Sequence, residues 1–199
     1  MKKTYEVIEE NFLKYRWFYT KSGKLVVGGK SALQNDELMT LVSKSKMNFL
    51  VMHTTMPGSP FTVINVNSEK VSEEDIKECA IFTGCFSKAW KKGLKRAKVD
   101  IFSSLDMYKS KDMGTGTWGV KKKIKSVDVE LKLVLTNQHN KVRAIPEESS
   151  KKKDILLKIK PGRVDKKEMV IKMQTVLEEQ MNQEDLLSAL PSGGVKIEK

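Results

Sequence analysis

Three groups of residues in this chain have the type and spacing to do chemistry. The first is Gly28-Gly29-Lys30-Ser31, a glycine pair at the point where an apolar run gives way to a helical one. Free backbone amides at such a turn, the positive end of the helix and the Lys30 ammonium together suit a phosphate. The same glycines would serve equally well if they only let a strand turn into a helix, because without a Cβ they reach backbone angles closed to other residues. The string is not a Walker loop, since the first glycine and its four-residue spacer are missing.

The second group is His53, which closes an apolar run and precedes Pro57-Gly58-Ser59. An imidazole there can act as a general base, a phosphate ligand or a contact to a base edge, or it can simply fix the loop through a backbone hydrogen bond. No nucleophile or metal-ligand set stands at a spacing that pairs with it. His139 falls in a hairpin turn and is read as solvated.

The third group is cationic. The 199 residues include 37 basic and 25 acidic ones, for a formal charge of +12. An excess of that size favours polyanionic partners, nucleic acid or an anionic membrane face, although it can also serve only solubility. Position decides more than the total. From Lys88 to Lys125 twelve basic residues face only Asp100, Asp106 and Asp112, so this stretch holds +9 of the +12. Trp90, Tyr108 and Trp118 are interleaved with those cations, and single-stranded bases stack on such rings. At least one tryptophan is expected in the core instead.

Several classes are set aside. Cys79 and Cys85 share one apolar helical stretch and read as reduced core thiols. Two His and two Cys at unrelated spacings make no zinc site, and no metal or other cofactor is expected. No apolar run approaches the roughly 18–20 residues needed to cross a bilayer, and MKKTYEVIEE is not a signal peptide. The expectation is a cytoplasmic protein without a membrane partner.

The elements that must position these groups follow from periodicity and turn chemistry. A polar lead-in with a short helix precedes a hairpin, 17–20 and 24–27 around Lys21-Ser22-Gly23. Ser31 and Gln34 have capping-box spacing for a helix striped by Leu33, Leu38, Leu41 and Val42. Strands are predicted over 48–54 and 61–66. Ser72 and Asp75 cap a helix from Glu73 to about Lys92, striped by Ile76, Cys79, Ala80, Thr83, Phe86 and Trp90. Further strands are read at 99–108 and 117–127, then a hairpin around Asn137–Asn140 and a short strand at 155–159 closed by Pro161-Gly162. A third long helix runs from Asp165 to about Met181, a short one spans Gln183–Leu190, and Met169, Met173 and Met181 are core filler. This order predicts an α+β fold with a mixed, mainly antiparallel sheet, three to four helices and many hairpins. Residues 1–126 would form the core unit, and 127–199 a C-terminal α/β extension, a second lobe or a continuation of the same sheet.

The string Trp17-Phe18, Thr20, Gly23, Val27-Gly28-Gly29, Lys30, Ser31, Ala32, Asn35 and Asp36 resembles the signature of the NFACT-R domain family. The likeness continues in order through His53 with Pro57-Gly58-Ser59, Ala80, Phe86-Ser87-Lys88-Ala89-Trp90-Lys91, and Gly114-Thr115-Gly116-Thr117-Trp118-Gly119-Val120-Lys121-Lys122. Ordered blocks over residues 16–123 are far more specific than any one motif. The resemblance implies RNA binding. Longer family members of the RqcH type are ribosome-quality-control factors that work on the large ribosomal subunit with tRNA. This sequence resembles a free-standing, archaeal-type form without their other parts, so tail addition to stalled peptides is not carried over. Lys30 and Ser31 stand where those proteins usually have Arg and Asp, which removes a fork-like guanidinium contact.

Read together, these residues point to a protein that contacts structured RNA, tRNA or rRNA, in translation or ribosome quality control. The residues expected to touch it are Gly28, Gly29, Lys30, Ser31, Asn35, His53, Ser59, Ser87, Lys88, Lys91, Lys92, Thr115, Lys121, Lys122 and Lys123. Lysines act as point charges and give affinity more than sequence discrimination. Two readings compete: an RNA-processing or RNA-modifying enzyme using His53 with Lys30 or Asn35, and a protein adaptor that docks on a ribosomal particle. The oligomeric state is not legible.

Overall fold

The structure, a computed structural model, describes residues 2–177 and 181–198. Its helices are α1 (Thr4–Glu10), α2 (Ala32–Ser43), α3 (Glu73–Cys85), α4 (Lys88–Lys91), α5 (Lys166–Leu177) and α6 (Gln183–Ala189). Its strands are β1 (Arg16–Tyr19), β2 (Leu25–Gly28), β3 (Leu50–Thr54), β4 (Thr62–Ile64), β5 (Arg96–Ser103), β6 (Met107–Tyr108), β7 (Gly119–Val120), β8 (Lys123–Glu130), β9 (Leu133–Gln138), β10 (Lys141–Ile145), β11 (Leu157–Asp165) and β12 (Gly194–Glu198). They form a six-stranded sheet in the order β1-β2-β4-β3-β5-β8, a four-stranded sheet β10-β9-β11-β12, and a small β6-β7 hairpin.

The α+β class with antiparallel, hairpin-rich pairing is as expected, and all the strand pairs in these sheets run antiparallel. The helix count differs: the described residues hold six, against an expected three to four. Part of the difference is a break in the helix predicted from Glu73 to Lys92. Phe86 ends α3, and the Ser87 hydroxyl accepts a hydrogen bond from Ala89 N at 3.1 Å and donates to Gly84 O at 2.7 Å. A short polar side chain that satisfies the backbone locally competes with helix continuation, so a new turn starts there.

The part of the six-stranded sheet made by β1 to β4 is covered on both faces, which explains why these strands read as mostly apolar runs rather than alternating ones. In β1 and β2, Phe18 and Val26 face one cluster with Phe82, Trp90 and Leu135. Trp17, Leu25 and Val27 face the other, with Leu38, Met39 and Phe49. In β3, Leu50 and Met52 join the first cluster while Val51 joins the second. The helix α3 and the four-stranded sheet close the first face; α1 and α2 close the second. Cys79 and Cys85 are free and fully buried, and burial pushes the Cys79 thiol up to about 12.

Several strands depart from expectation: the strand expected over 99–108 is β5 and the separate β6, and that over 117–127 is β7 and β8. The run ending at Pro161-Gly162 does not stop there. β11 passes through a bulge between Pro161 and Val164 while pairing with β12. Proline tolerates such a break in a ladder, and Gly162 lies where a Cβ would stand 2.6 Å from the Val195 carbonyl carbon. β12 itself was not foreseen. The expected end of the third long helix near Met181 falls partly on residues 178–180, outside the described residues.

Candidate nucleic-acid interface

The glycine turn owes its sequence to close approach. A Cβ on Gly28 would stand 2.9 Å from Thr62 Cγ2, and one on Gly29 would stand 2.2 Å from Asn35 Oδ1. Asn35 is buried and accepts a hydrogen bond from Phe61 N at 3.1 Å, so it latches α2 to the chain entering β4. The open amide ring expected here is only partly present. Gly29 N donates to Phe61 O, and Lys30 N donates to Gln34 Oε1 at 2.9 Å. Gln34 N donates to Ser31 Oγ at 3.2 Å. Gln34 therefore folds back and takes up donors that a phosphate was expected to use, and the Lys30 side chain remains as the exposed cation.

His53 lies on β3, directly across from Asp100 of β5. Its Nδ1 is 2.7 Å from Thr54 O. A carbonyl only accepts, so Nδ1 carries the proton, and neutral Nε2 is left as an acceptor without a protein partner among the described residues. The ring also packs on Phe61, with centroids 4.6 Å apart. Burial holds the His53 pKa below its ordinary value, against the upward pull of the Thr54 hydrogen bond and Asp100. The loop-fixing bond is thus real, and it leaves one nitrogen for a ligand. Ser59 and Ser87 are more fully engaged: Ser59 Oγ accepts from Thr54 N at 2.9 Å and approaches Pro60 O, and Ser87 caps α4.

The histidine loop meets the lysine helix through Gly58, whose carbonyl accepts from Lys88 N at 2.7 Å. On the opposite side, the loop from Lys109 to Trp118 folds over the start of α2. Lys109 Nζ binds Asp36 Oδ1 at 2.9 Å and the carbonyls of Gly114 and Thr117, while Trp118 Nε1 donates to the same Asp36 oxygen at 2.8 Å. Gly116, at φ +78°, lies against Ala32.

These pieces enclose a cleft of about 800 Å³. Gly29, Lys30, Ser31, Asn35, His53, Ser59, Ser87, Lys88, Lys91 and Thr115 all line it. Gly28 lies beneath it in β2, and Lys92 lines a neighbouring groove with Met56 and Leu94. Lys121, Lys122 and Lys123 follow Val120, a wall residue, without being part of the wall. Arg16, Asp100, Phe102 and Ser192 belong to the wall and were not singled out from sequence, whereas Phe86 and Trp118, also in the wall, were named there, Trp118 as a ring for stacking.

The basic stretch divides on folding. Lys109 pairs with Asp36, Lys123 with Asp100 at 3.3 Å, Lys125 with Glu73 and Arg96 with Asp128. Arg16, Lys30, Lys88 and Lys91 ion-pair with no carboxylate among the described residues. Asp100, the carboxylate in the wall, also accepts from Ser126 at 2.5 Å and Thr55 at 2.9 Å. Burial raises its pKa, yet these hydroxyls and Lys123 together hold it below the usual carboxylate range. The cleft is net cationic. Of the interleaved aromatics, Trp90 is fully buried and cannot serve as a platform, Tyr108 lies across Gly119, and Trp118 is half-buried at the cleft wall. His139 is not merely solvated: it stacks on Tyr19 with ring centroids 4.4 Å apart.

No group of His, Cys, Asp or Glu among the described residues could hold a metal, and no described helix is long and apolar enough to cross a membrane. The sequence profile of the NFACT protein RNA binding domain matches residues 14–122. The whole chain is 26% identical to the archaeal Rqc2 homolog aRqcH of Methanocaldococcus jannaschii and spans 31% of that protein's length. The C-terminal part of the fibronectin/fibrinogen-binding protein from Streptococcus suis is structurally similar, with a TM-score of 0.51 and 25% identity, over 59% of this chain and 45% of that one.

Proposed function

The chain belongs to the NFACT protein RNA-binding domain family, and from that premise we propose that its cationic cleft grips structured RNA, tRNA or rRNA, in ribosome quality control. The observation that carries this reading is the convergence of Arg16, Lys30, Lys88 and Lys91, from three separate stretches of chain, on one cleft without matching carboxylates. Holding like charges together costs free energy, which a polyphosphate returns by pairing with them and releasing its counterions. The lysines track the backbone. His53 Nε2, an acceptor in the neutral ring, suits a ribose 2′-hydroxyl or a base amine, and the Trp118 ring offers an edge of aromatic surface.

Residues 1–126 supply most of this cleft, and 127–199 act as an α/β extension packed on the same core. Such a partner places the protein in the cytoplasm, with the large ribosomal subunit as the particle it visits. The likeness to the archaeal Rqc2 homolog supports this setting. Filter binding of a tRNA transcript across a salt series tests the proposal. Affinity should fall with a log–log slope of about −0.7 to −0.9 per phosphate contacted. Binding that is absent or indifferent to salt would overturn it.

A further inference from the structure

Next to the Arg16 and Lys30 wall of the cleft lies a second feature, built partly from the C-terminal region that the family profile does not reach. Arg143, on β10, is 8% exposed, yet no carboxylate pairs with it among the described residues. Its Nε donates to Trp17 O at 3.1 Å and its guanidinium lies 4.4 Å from the centroid of the Trp17 ring. Arg16, the neighbouring residue on β1, has its guanidinium carbon 4.8 Å from the centroid of the Phe86 ring. Aromatic faces hold a guanidinium in plane and leave its edge for an acceptor. Both Nη groups of Arg143, and the whole Arg16 guanidinium, lack a protein acceptor among the described residues.

Lys30 enters from the glycine turn opposite Arg16, whose register partner is Gly28. Lys166, at the start of α5, is half-buried and donates to Leu187 O at 3.2 Å. These cations repel one another. Burial and then Arg16 lower the pKa of Lys30, Lys166 and Arg143, the last to about 10. Asp185 and Asp165 offset part of the charge on Arg143 and Lys166 without pairing with them, Asp185 binding Lys141 at 3.6 Å and Asp165 the Lys167 amide at 2.9 Å. A nearly buried charge without a direct ion-pair partner is a costly arrangement for a fold to retain unless an anion completes it.

We propose that Arg16, Lys30, Arg143 and Lys166 form a phosphate subsite at the seam between the two sheets, beside the Arg16 and Lys30 wall of the cleft, taking one phosphate group of the bound RNA. This deepens the RNA-binding reading and rests on it for the source of the phosphate. Planar guanidinium forks match phosphate oxygens, and the flanking lysines add charge without fixing direction. The two lobes would then close on the ligand together, since one arginine comes from each.

The test has two arms on the full chain. In the first, inorganic phosphate is titrated against sodium chloride of matched ionic strength while the unfolding temperature is followed. Wild type should gain stability specific to phosphate, and Arg143→Gln and Lys30→Gln should lose that gain; no specific gain in wild type, or an equal gain in the variants, overturns the subsite. Lys30 is exposed, so its variant keeps the test valid if Arg143→Gln folds poorly. In the second arm, Arg143→Gln should bind a tRNA transcript about tenfold more weakly, with a salt slope smaller by roughly 0.7–0.9. Loss seen equally with and without a 5′-phosphate on the transcript assigns the phosphate to the backbone; loss only with it assigns the chain end. A phosphate response without RNA binding keeps the subsite and removes the RNA reading, whereas RNA binding sensitive to Lys88→Gln but not Arg143→Gln removes the subsite alone.

Discussion

The Gly58 carbonyl accepts a hydrogen bond from Lys88 N at 2.7 Å, and this contact joins the histidine loop to the cationic helix. Gly58 sits at φ +99°, and a Cβ there would stand 2.3 Å from Lys88 Cδ. Both the backbone angle and the space require glycine. Gly58→Ala should therefore cost about 1–3 kcal/mol of stability and weaken RNA binding by turning Lys88 away from the cleft. Chemical denaturation and filter binding on one preparation would check both effects, and an unchanged midpoint with unchanged affinity would contradict the assignment.

Asp75 is the buried anchor of the N-terminal hairpin. It pairs with Lys24 at 2.8 Å and accepts from Thr20 and Ser22 while capping α3 through Ser72. Burial pushes its carboxyl up, but Lys24 and these hydrogen bonds outweigh that and hold it well below the usual carboxylate range. The folded pKa is thus lower than the unfolded one, near 3.9, so this stabilisation is complete above about pH 4 and declines as pH falls further. Asp75→Ala should remove about 2–4 kcal/mol at pH 7, because Lys24 and four donors from Thr20, Ser22 and Ser72 lose their acceptor. The loss should shrink toward pH 3 in urea melts.

His53 should titrate below its ordinary value, near 6.5, when followed by NMR, because burial disfavours the imidazolium. A depressed folded pKa means that the neutral ring supports the fold above pH 6.5 and that this support is lost on acidification through the folded value. In incubations with labelled RNA, His53→Ala should bind more weakly than wild type, and neither protein should cut the strand. Cleavage by wild type that His53→Ala loses would favour the competing enzymatic reading.

Much of this arrangement was legible. The hairpin around Gly23, the Ser31 and Ser72 caps and the cysteine-bearing helix follow from turn and capping chemistry that acts within a few residues. The ordered likeness from Trp17 to Lys122 brought the glycine turn, His53 and Lys91 into one set before any geometry was known. What escaped depends on contacts distant in sequence. Arg143 reads as one more polar residue of a hairpin, since its place beside Trp17 arises from packing between strands 126 residues apart. β5 begins at Arg96 because charged outward-facing residues conceal a strand, and the edge strand β8 is masked by lysines that also discourage edge-to-edge pairing. Pairing of Lys109 and Lys123 with carboxylates from other elements could not be read from charge along the chain.

Trp90 links the cationic helix to the C-terminal strand, for its Nε1 donates to Gly194 O at 2.9 Å. Trp90→Phe should lose about 1 kcal/mol with that hydrogen bond, and Trp90→Ala about 3–5 kcal/mol with the buried ring. Equal stability of all three proteins would mean that β12 is not held against this helix.

One cleft, and not scattered surface lysine, is proposed to hold the RNA. Backbone amide chemical-shift mapping with a tRNA transcript tests it most directly. The largest shifts should fall on Gly29, Lys30, His53, Ser59, Lys88, Lys91 and Thr115, and added salt should reverse them. Shifts confined to the outer face, around Lys2, Lys44 and Lys46, with the cleft residues silent, would contradict it.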